Sequence, residues 1–453
     1  MAETTLFILG ATGDLTSRLL LPALEQLLTL EPDRGVRLVG VGRRDVGDDA
    51  WRTRVREAFG DDASDAATAL AEQTTFLQAD ISSPDGLRSI FDAADGTPVL
   101  YFAVPPAIAQ ESCVAMTGVD VPDGTILALE KPFGTDQASA REFNETLAQL
   151  VPENQVFRVD HFLGQSILLD VIGVRFANRV FEPVWSAEHI ESVLIRYDET
   201  LGLEGRAGYY DKAGAFVDML QSHLLELMSV VAMDSPASLG ERDLRDATAA
   251  ALRATRVYGG DPVASSRRAR YTAGDVDGHH MPSYADEEGV DPLRNTETLA
   301  EATFEVCTGR WAGVPFTLRS GKAIEPAVKE IALTFRPVRH LPEQFHGDIA
   351  PNVLRFAFGP DTMTLELNVH DGAHPFDLNT THLTADLGQG SIHAYAEVLS
   401  GILDGDATLA VRGDTAEQCW RVVDPILDAW KSNRVPLDEY PAGSIGPESW
   451  PTP

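Results

Sequence analysis

The chemistry of this chain starts with glycines and arginines. Gly10, Gly13 and Asp14 lie in GATGDL, between an apolar run, TLFILG, and an amphipathic one, SRLLLPALEQLLTL. A strand-to-helix turn of this kind aims helix N-terminal amides at a phosphate, the place a doubly wound sheet gives to a pyrophosphate. The spacing is GxxGDL rather than GxGxxG, so a plain glycine turn with Asp14 as helix N-cap stays open. Arg43 and Arg44 end the next apolar run, VRLVGVG. An acidic residue there holds a ribose 2′-hydroxyl, whereas arginine accommodates a 2′-phosphate, which points to NADP over NAD. A surface ion pair is the other reading of both arginines. No tyrosine is followed by lysine four residues on, so the Tyr-x-x-x-Lys pair of short-chain dehydrogenases is missing.

Other reactive residues have bland readings when taken alone. His223 shares a helical face with Phe216, Met219, Leu220, Leu227 and Val230, the pattern of a core histidine. Asp160 reads as the N-cap of a following helix, Lys131 as an exposed charge, and Glu199 and Asp218 as solvated carboxylates. His279 and His280 are adjacent, which is not a metal-ligand spacing, and no metal is expected. Cys113, Cys307 and Cys419 are scattered, with no CxxC, as suits a reducing cytoplasm.

These residues need a scaffold, and 453 residues suffice for two or more cores. Apolar residues make up 44% and charged residues 23%, ordinary for a globular protein. Lys plus Arg is 36 against 69 Asp plus Glu, a net charge of −33. That surface repels nucleic acid and anionic membranes, so neither is an expected partner, and an anionic ligand needs a local positive island. The N-terminus lacks a basic region and cleavage site, and the apolar runs are shorter than a bilayer span, so neither signal peptide nor membrane helix is expected.

The first third alternates strands (TLFILG, VRLVGVG, TTFLQAD, PVLYFAVPP, TILALEKP) with helical patterns. Short apolar runs between helices predict a parallel, doubly wound, Rossmann-like α/β sheet over residues 1–157. Beyond it, helical stretches at 163–178, 213–233 and 242–257 precede strand-like runs such as SVLIRYDE, EIALTFRPV and TMTLELNV. Strands without intervening helices predict an α+β domain with a large, mainly antiparallel sheet over 158–453. Residues 258–295 read as a long loop, and the Pro/Gly-rich tail from 441 as irregular.

EKPFGTD (130–136), RVDHFLGQS (158–166), the stretch 199–234 and RWAGVPFTLRSGKA (310–323), with GATGDL, give the chain a further character. Together they resemble glucose-6-phosphate dehydrogenases, in order, from about residue 5 to about 435. The chain is short for that family, which implies trimmed loops. The resemblance implies that His223 is the general base taking the C1 hydroxyl proton of a sugar, with Asp160 orienting its imidazolium. It gives Lys131 contacts to both substrate and cofactor. Glu199 and Asp218 become acceptors for sugar hydroxyls, and Lys322 a substrate-side lysine. His161 and Gln165 fall in the substrate-phosphate pocket. The turn residues Gly10, Thr12, Gly13, Asp14 and Leu15, with Arg43, Arg44 and Pro105 of the 101–106 loop, fall to the NADP cofactor. The second-domain sheet is expected to make a homodimer or homotetramer.

The chain also departs from that family. The pocket usually reads Asp-His-Tyr-Leu-Gly-Lys, and here Phe162 and Gln165 replace its tyrosine and lysine. Ala327 and Val328 stand where a second cation usually lies, with Lys329 just beyond, and Leu19 follows Arg18 where the family carries a lysine. Two lost phosphate cations weaken binding by about 3–6 kcal/mol, or roughly 10²–10⁴-fold. His161, Lys329 or the Arg267–Arg268–Arg270 cluster are the available compensators. Three readings follow: an NADP-dependent glucose-6-phosphate 1-dehydrogenase yielding the lactone, a dehydrogenase oxidising C1 of another sugar, either unphosphorylated or with a different C6 group, or a dinucleotide-binding sensor or subunit without turnover.

Overall fold

The computed structural model describes residues 4–451 apart from 206, 348, 371, 373–374 and 389–392. It divides into two compact units: Met1–Gln165, Pro236–Ala249 and Gly390–Trp420 form one, and Ser166–Ser235, Ala250–Gln389 and Arg421–Pro453 the other.

In the first unit, β1 (Thr4–Leu9), β2 (Val36–Gly42), β3 (Thr75–Gln78), β4 (Thr97–Phe102), β5 (Ile126–Glu130) and β6 (Val156–Val159) form a parallel sheet. Its order, β3-β2-β1-β4-β5-β6, is that of a doubly wound dinucleotide-binding fold, with the switch point between β1 and β4. Leu6, Phe7, Ile8 and Leu9 are all buried, because helices cover both faces and leave no polar side to alternate with.

The expected boundary near residue 157 differs from these units. The helix Ala394–Asp404 packs on the helix Leu21–Leu30, and Ala396, Leu399 and Ile402 share one core with Leu21, Leu24 and Leu28. Its apolar face is thus buried by the first unit, although the chain reaches it some 230 residues after leaving β6.

The second unit is built on β7 (Ile190–Asp198), β8 (Thr255–Val257), β9 (Ser266–Thr272), β12 (Leu299–Val306), β13 (Pro315–Gly321), β14 (Lys329–Phe335), β15 (His346–Gly347), β16 (Val353–Ala357), β17 (Thr362–His370), β18 (Asp377–Asp386) and β19 (Leu437–Pro441), while β10 (Gly274–Val276) and β11 (His279–Met281) form a separate hairpin. The large sheet is mainly antiparallel, with parallel contacts at β7–β13, β9–β19 and β15–β18. A helical segment, Ala207–Ala232, interrupted by a kink at Gly214, runs beside it. That helix is long and apolar enough to cross a membrane, contrary to the expectation of short runs, but it is mostly buried within the protein.

The expected loop at 258–295 is also corrected. Its SRRARYT segment is β9, an interior strand between β12 and β19. Three arginines disguise it. Arg267 pairs with Glu301, Arg268 donates to the Val435 carbonyl at 3.0 Å and lies over Trp430, and Arg270 faces Glu439 at 3.8 Å. The cluster is therefore structural and does not stand ready as the substitute phosphate site. The tail forms turns after β19, and its last two residues lie outside the described ones.

Candidate active site

The turn after β1 is shaped by Gly10. Its φ of +92° is accessible to glycine, and a Cβ there would lie 2.4 Å from the carbonyl oxygen of Ala103. This close approach sets the turn against the loop after β4, where Pro105 opens the helix Pro106–Met116. Gly13 N–H donates to the Gly10 carbonyl at 2.9 Å, and so does the Thr16 hydroxyl at 3.3 Å. Asp14 caps no backbone group; its exposed carboxylate pairs with Arg18 at 3.2 Å. The amides of Asp14 and Leu15 open the helical segment that follows the turn, where backbone N–H groups precede any intrahelical acceptor. Thr12 is exposed at the tip of the turn.

Arg43 and Arg44 are both exposed after β2, and among the described residues neither guanidinium has a carboxylate partner. The ion-pair reading is thus not realised. Two exposed arginines without a carboxylate partner stand out in a chain of net charge −33.

The end of β5 carries Glu130 and Lys131, with a cis peptide between Lys131 and Pro132. Tyr101 donates its hydroxyl to Glu130 at 2.6 Å. Burial pushes the Glu130 carboxyl up to about 7, and the Asp160 charge adds to the rise while the Tyr101 hydrogen bond and Lys131 oppose it. Burial and the Glu130 charge likewise raise the Tyr101 phenol well above its usual value. Asp160, buried beyond β6, accepts from Phe162 N–H at 2.9 Å, so it does cap the short helical turn His161–Gly164. His161 stacks on Tyr395, with centroids 5.2 Å apart and planes at 16°. Tyr395 is itself raised by burial and by the Glu130 and Asp160 charges. Gln165 ends this turn. Lys131, Asp160 and His161 therefore belong to one polar group with Tyr101, Glu130 and Tyr395, three residues to which the sequence alone assigns no role.

In the second unit, Lys322 and Glu199 are brought together. The Lys322 ammonium donates to Glu199 at 2.7 Å and lies 5.3 Å from the centre of the Tyr210 ring. Glu199 sits just past β7 because its N–H donates to Gly321 while its carbonyl receives Ile324 N–H. Asp218 and His223 lie on a π-helical stretch, Phe216–Leu224, inside the long helix. Such wide turns recur at functional sites because they redirect side chains. Asp218 raises the buried Tyr210 phenol, second to burial itself, so Asp218, Tyr210 and the Lys322–Glu199 pair are neighbours.

The helix start is held by an unforeseen residue. Glu297 accepts from Phe216 N–H at 3.0 Å, and its own carbonyl accepts from Ala215 N–H at 3.1 Å. Burial lifts its carboxyl to about 7. Gly214 makes room, with φ +68° and a would-be Cβ only 2.2 Å from a Glu297 carboxylate oxygen. Lys329 on β14 lies 4.4 Å from the centre of the Tyr197 ring, its register partner on β7, and among the described residues it has no carboxylate partner.

Sheet order, glycine turn and unpaired arginines define a dinucleotide-binding protein. Comparison with known proteins carries this further. Residues 7–169 match the family model for the glucose-6-phosphate dehydrogenase NAD binding domain, and residues 172–451 that for its C-terminal domain. Glucose-6-phosphate 1-dehydrogenase of Gluconobacter oxydans is 38% identical over 97% of this chain and 94% of that protein. The Treponema pallidum enzyme of the same name is 35% identical over 99% and 93%. A crystal structure of the Mycobacterium avium enzyme superposes with a TM-score of 0.86 at 31% identity, covering 99% of this chain and 96% of that one. A glucose-6-phosphate dehydrogenase in complex with glucose-6-phosphate superposes at 0.87 with 28% identity, over 99% and 96%. The chain belongs to the glucose-6-phosphate dehydrogenase family. It is an oxidoreductase acting on a CH–OH group with a nicotinamide dinucleotide.

Proposed function

We propose that this chain is an NADP-dependent glucose-6-phosphate 1-dehydrogenase, with His223 as the base. The observation that carries the reading is that Lys131, Asp160, Glu199, Asp218, His223 and Lys322 are all retained in a chain that matches both family domains. The residues of the β1 turn fit a dinucleotide: Gly10 leaves a cradle that a Cβ would fill, and Arg43 and Arg44 offer unpaired charge to a 2′-phosphate. When bound, the nicotinamide accepts the hydride from C1.

His223 removes the C1 hydroxyl proton at its imidazole, Asp160 is the carboxylate supporting the resulting imidazolium, and Asp218 and Glu199 accept from sugar hydroxyls. Without sugar, Glu199 is satisfied by Lys322. A hydroxyl that enters here joins an ion pair already in position, so little reorganisation accompanies binding. Lys131 supplies positive charge beside Glu130, which Tyr101 holds in place. For the phosphate, His161 and the carboxylate-free Lys329 are the cations proposed to replace the two that Gln165 and Ala327 lack.

A second reading, oxidation of a sugar without the C6 phosphate, is favoured by one finding: the Arg267–Arg268–Arg270 cluster is committed to the sheet. Initial rates of NADPH formation with glucose 6-phosphate and glucose side by side decide between them. A kcat/KM ratio of about 10³ or more in favour of the phosphate ester, roughly the worth of two charged hydrogen bonds, supports the first reading. Equal values overturn it. We also propose a homodimer or homotetramer through the large sheet, on which Val369 and Leu383 are exposed, and a cytoplasmic location consistent with three unpaired cysteines. Sedimentation velocity tests the assembly.

A further inference from the structure

Ten residues after β2 ends, the arginines of the helix Gly47–Phe59 begin, and they divide sharply by partner. Arg52 lies 3.5 Å from Asp48 and 3.6 Å from Asp49, and it also donates to the Thr74 carbonyl. Arg56 bonds back onto its own helix, at the Arg52 carbonyl and the Thr53 hydroxyl. Arg54 does neither. Its Nη1 leaves the helix to donate to the Thr12 carbonyl at 3.2 Å and the Ser17 hydroxyl at 2.9 Å, the two ends of the glycine turn. Among the described residues it has no carboxylate partner.

That absence is informative in this chain. With 69 acidic residues against 36 basic ones, carboxylates are plentiful, yet Arg54, like Arg43 and Arg44, pairs with none of them among the described residues. Arg18, the other cation of the turn, has found Asp14. Arg54 remains half-buried, is held by two neutral acceptors, and opens onto a surface cavity of about 410 Å³ that it lines with Ser17, Thr53 and Glu57. Neutral acceptors fix a guanidinium without cancelling its charge, and Nη1 accounts for only part of its five N–H groups. The Thr12–Gly13 peptide is also pinned at both ends, since its N–H donates to Gly10 and its carbonyl accepts from Arg54.

We propose that Arg54 is a third cofactor-specificity residue: it braces the glycine turn and adds its charge to that of Arg43 and Arg44, selecting a dinucleotide whose adenosine carries a 2′-phosphate. The inference rests on the NADP reading above and extends it to a residue that no motif marks. Arginine suits this role better than lysine, since a planar fork can hold the turn with one nitrogen and still present others to phosphate.

The test compares dissociation constants of NADP⁺, NAD⁺, 2′,5′-ADP and 5′-AMP, by calorimetry on the full-length wild type and on Arg54→Gln, Arg54→Lys and the Arg43→Ala/Arg44→Ala double variant. Arg54→Gln keeps hydrogen-bond donors but removes the charge. It is expected to weaken NADP⁺ and 2′,5′-ADP by about ten- to hundredfold, the range for a hydrogen bond to a charged group. NAD⁺ and 5′-AMP stay near their wild-type values, and Arg54→Lys recovers part of the loss. An unchanged NADP⁺ affinity in Arg54→Gln overturns the inference. So does an equal loss for NADP⁺ and NAD⁺, which reduces Arg54 to a brace of the turn. A wild type that binds NAD⁺ as tightly as NADP⁺ removes the NADP reading itself, and the inference with it. The two failures are distinguishable because only the second is visible before any substitution. Should Arg54→Gln fold poorly, as judged by its melting temperature, Arg54→Lys carries the same comparison with charge kept and fork lost.

Discussion

Replacing Gly214 by alanine strikes at the point where the helix carrying Asp218 and His223 begins. Gly214 has φ +68° and ψ 173°, a region essentially reserved for glycine, so a side chain there costs about 1–3 kcal/mol. The new Cβ would also lie 2.2, 2.6 and 2.8 Å from three atoms of the Glu297 carboxyl group, so the whole group must move. Moving it breaks the 3.0 Å hydrogen bond from Phe216 N–H and leaves that buried donor unpaired, a loss of roughly 1.5–3 kcal/mol. The two sum to about 3–6 kcal/mol. At roughly 2–4 °C per kcal/mol for a unit of this size, differential scanning calorimetry should show the second unit melting at least about 6 °C lower. Asp218 and His223 follow Phe216 on the same helix, so kcat/KM falls as well. The decisive comparison is with Glu297→Ala alone and with Gly214→Ala/Glu297→Ala. Removing the carboxylate removes the clash, so the double variant must be less damaged than the sum of the single ones. A Gly214→Ala protein melting within about 1 °C of wild type, or strict additivity, refutes the reasoning.

His223→Asn is expected to lower kcat by about 10²–10⁴-fold with little change in KM, as befits a lost general base, and a variant keeping more than about a tenth of the rate excludes that role. Glu297 predicts a pH effect: its carboxyl is raised from 4.5 to about 7, so the folded state holds the proton more tightly than the unfolded chain. The stability this provides is full below about pH 4.5 and is lost as pH rises through about 7, by at most about 3 kcal/mol. Glu297→Gln should flatten the corresponding part of the melting-temperature profile between pH 5 and 8, and an unaltered profile contradicts the assignment. Lys322→Gln strips Glu199 of its 2.7 Å partner and should raise the sugar KM and lower stability by about 1–3 kcal/mol. Adding Glu199→Gln should restore the stability but not the KM, a split that denaturant titration and steady-state kinetics read separately.

What the sequence made legible was whatever depends on near neighbours along the chain. The GATGDL turn, the arginines after β2 and the alternation of strands and helices are local patterns, and the first-unit sheet follows from them. β9 was hidden because Arg267, Arg268 and Arg270 look solvated until Glu301, the Val435 carbonyl, Trp430 and Glu439 are set beside them, residues 31 or more positions away. Glu130 and Glu297 were passed over for the same reason. A carboxylate titrating near neutrality differs from a surface one only in burial, and burial is not written at its own position. Asp160 shows the converse: its plain reading as a cap holds, since one oxygen accepts from Phe162 N–H, and that bond fixes the carboxylate on which the proposed role of Asp160 rests.

The way the first unit is assembled bears on how the protein is made. Residues 4–165 leave a ribosome first, yet Leu21, Leu24 and Leu28 cannot complete their core until Ala396, Leu399 and Ile402 have been synthesised. At about 5–20 residues per second, the interval between the two is on the order of ten to fifty seconds. For that time the nascent dinucleotide half carries an uncovered apolar seam, which makes it a client for chaperones. A product terminated before residue 393 keeps the glycine turn, the arginines and β1–β6, and never acquires the helix that closes over them. Quality control of this enzyme is thereby written into chain order: the half that emerges first is sealed by one of the last segments to appear.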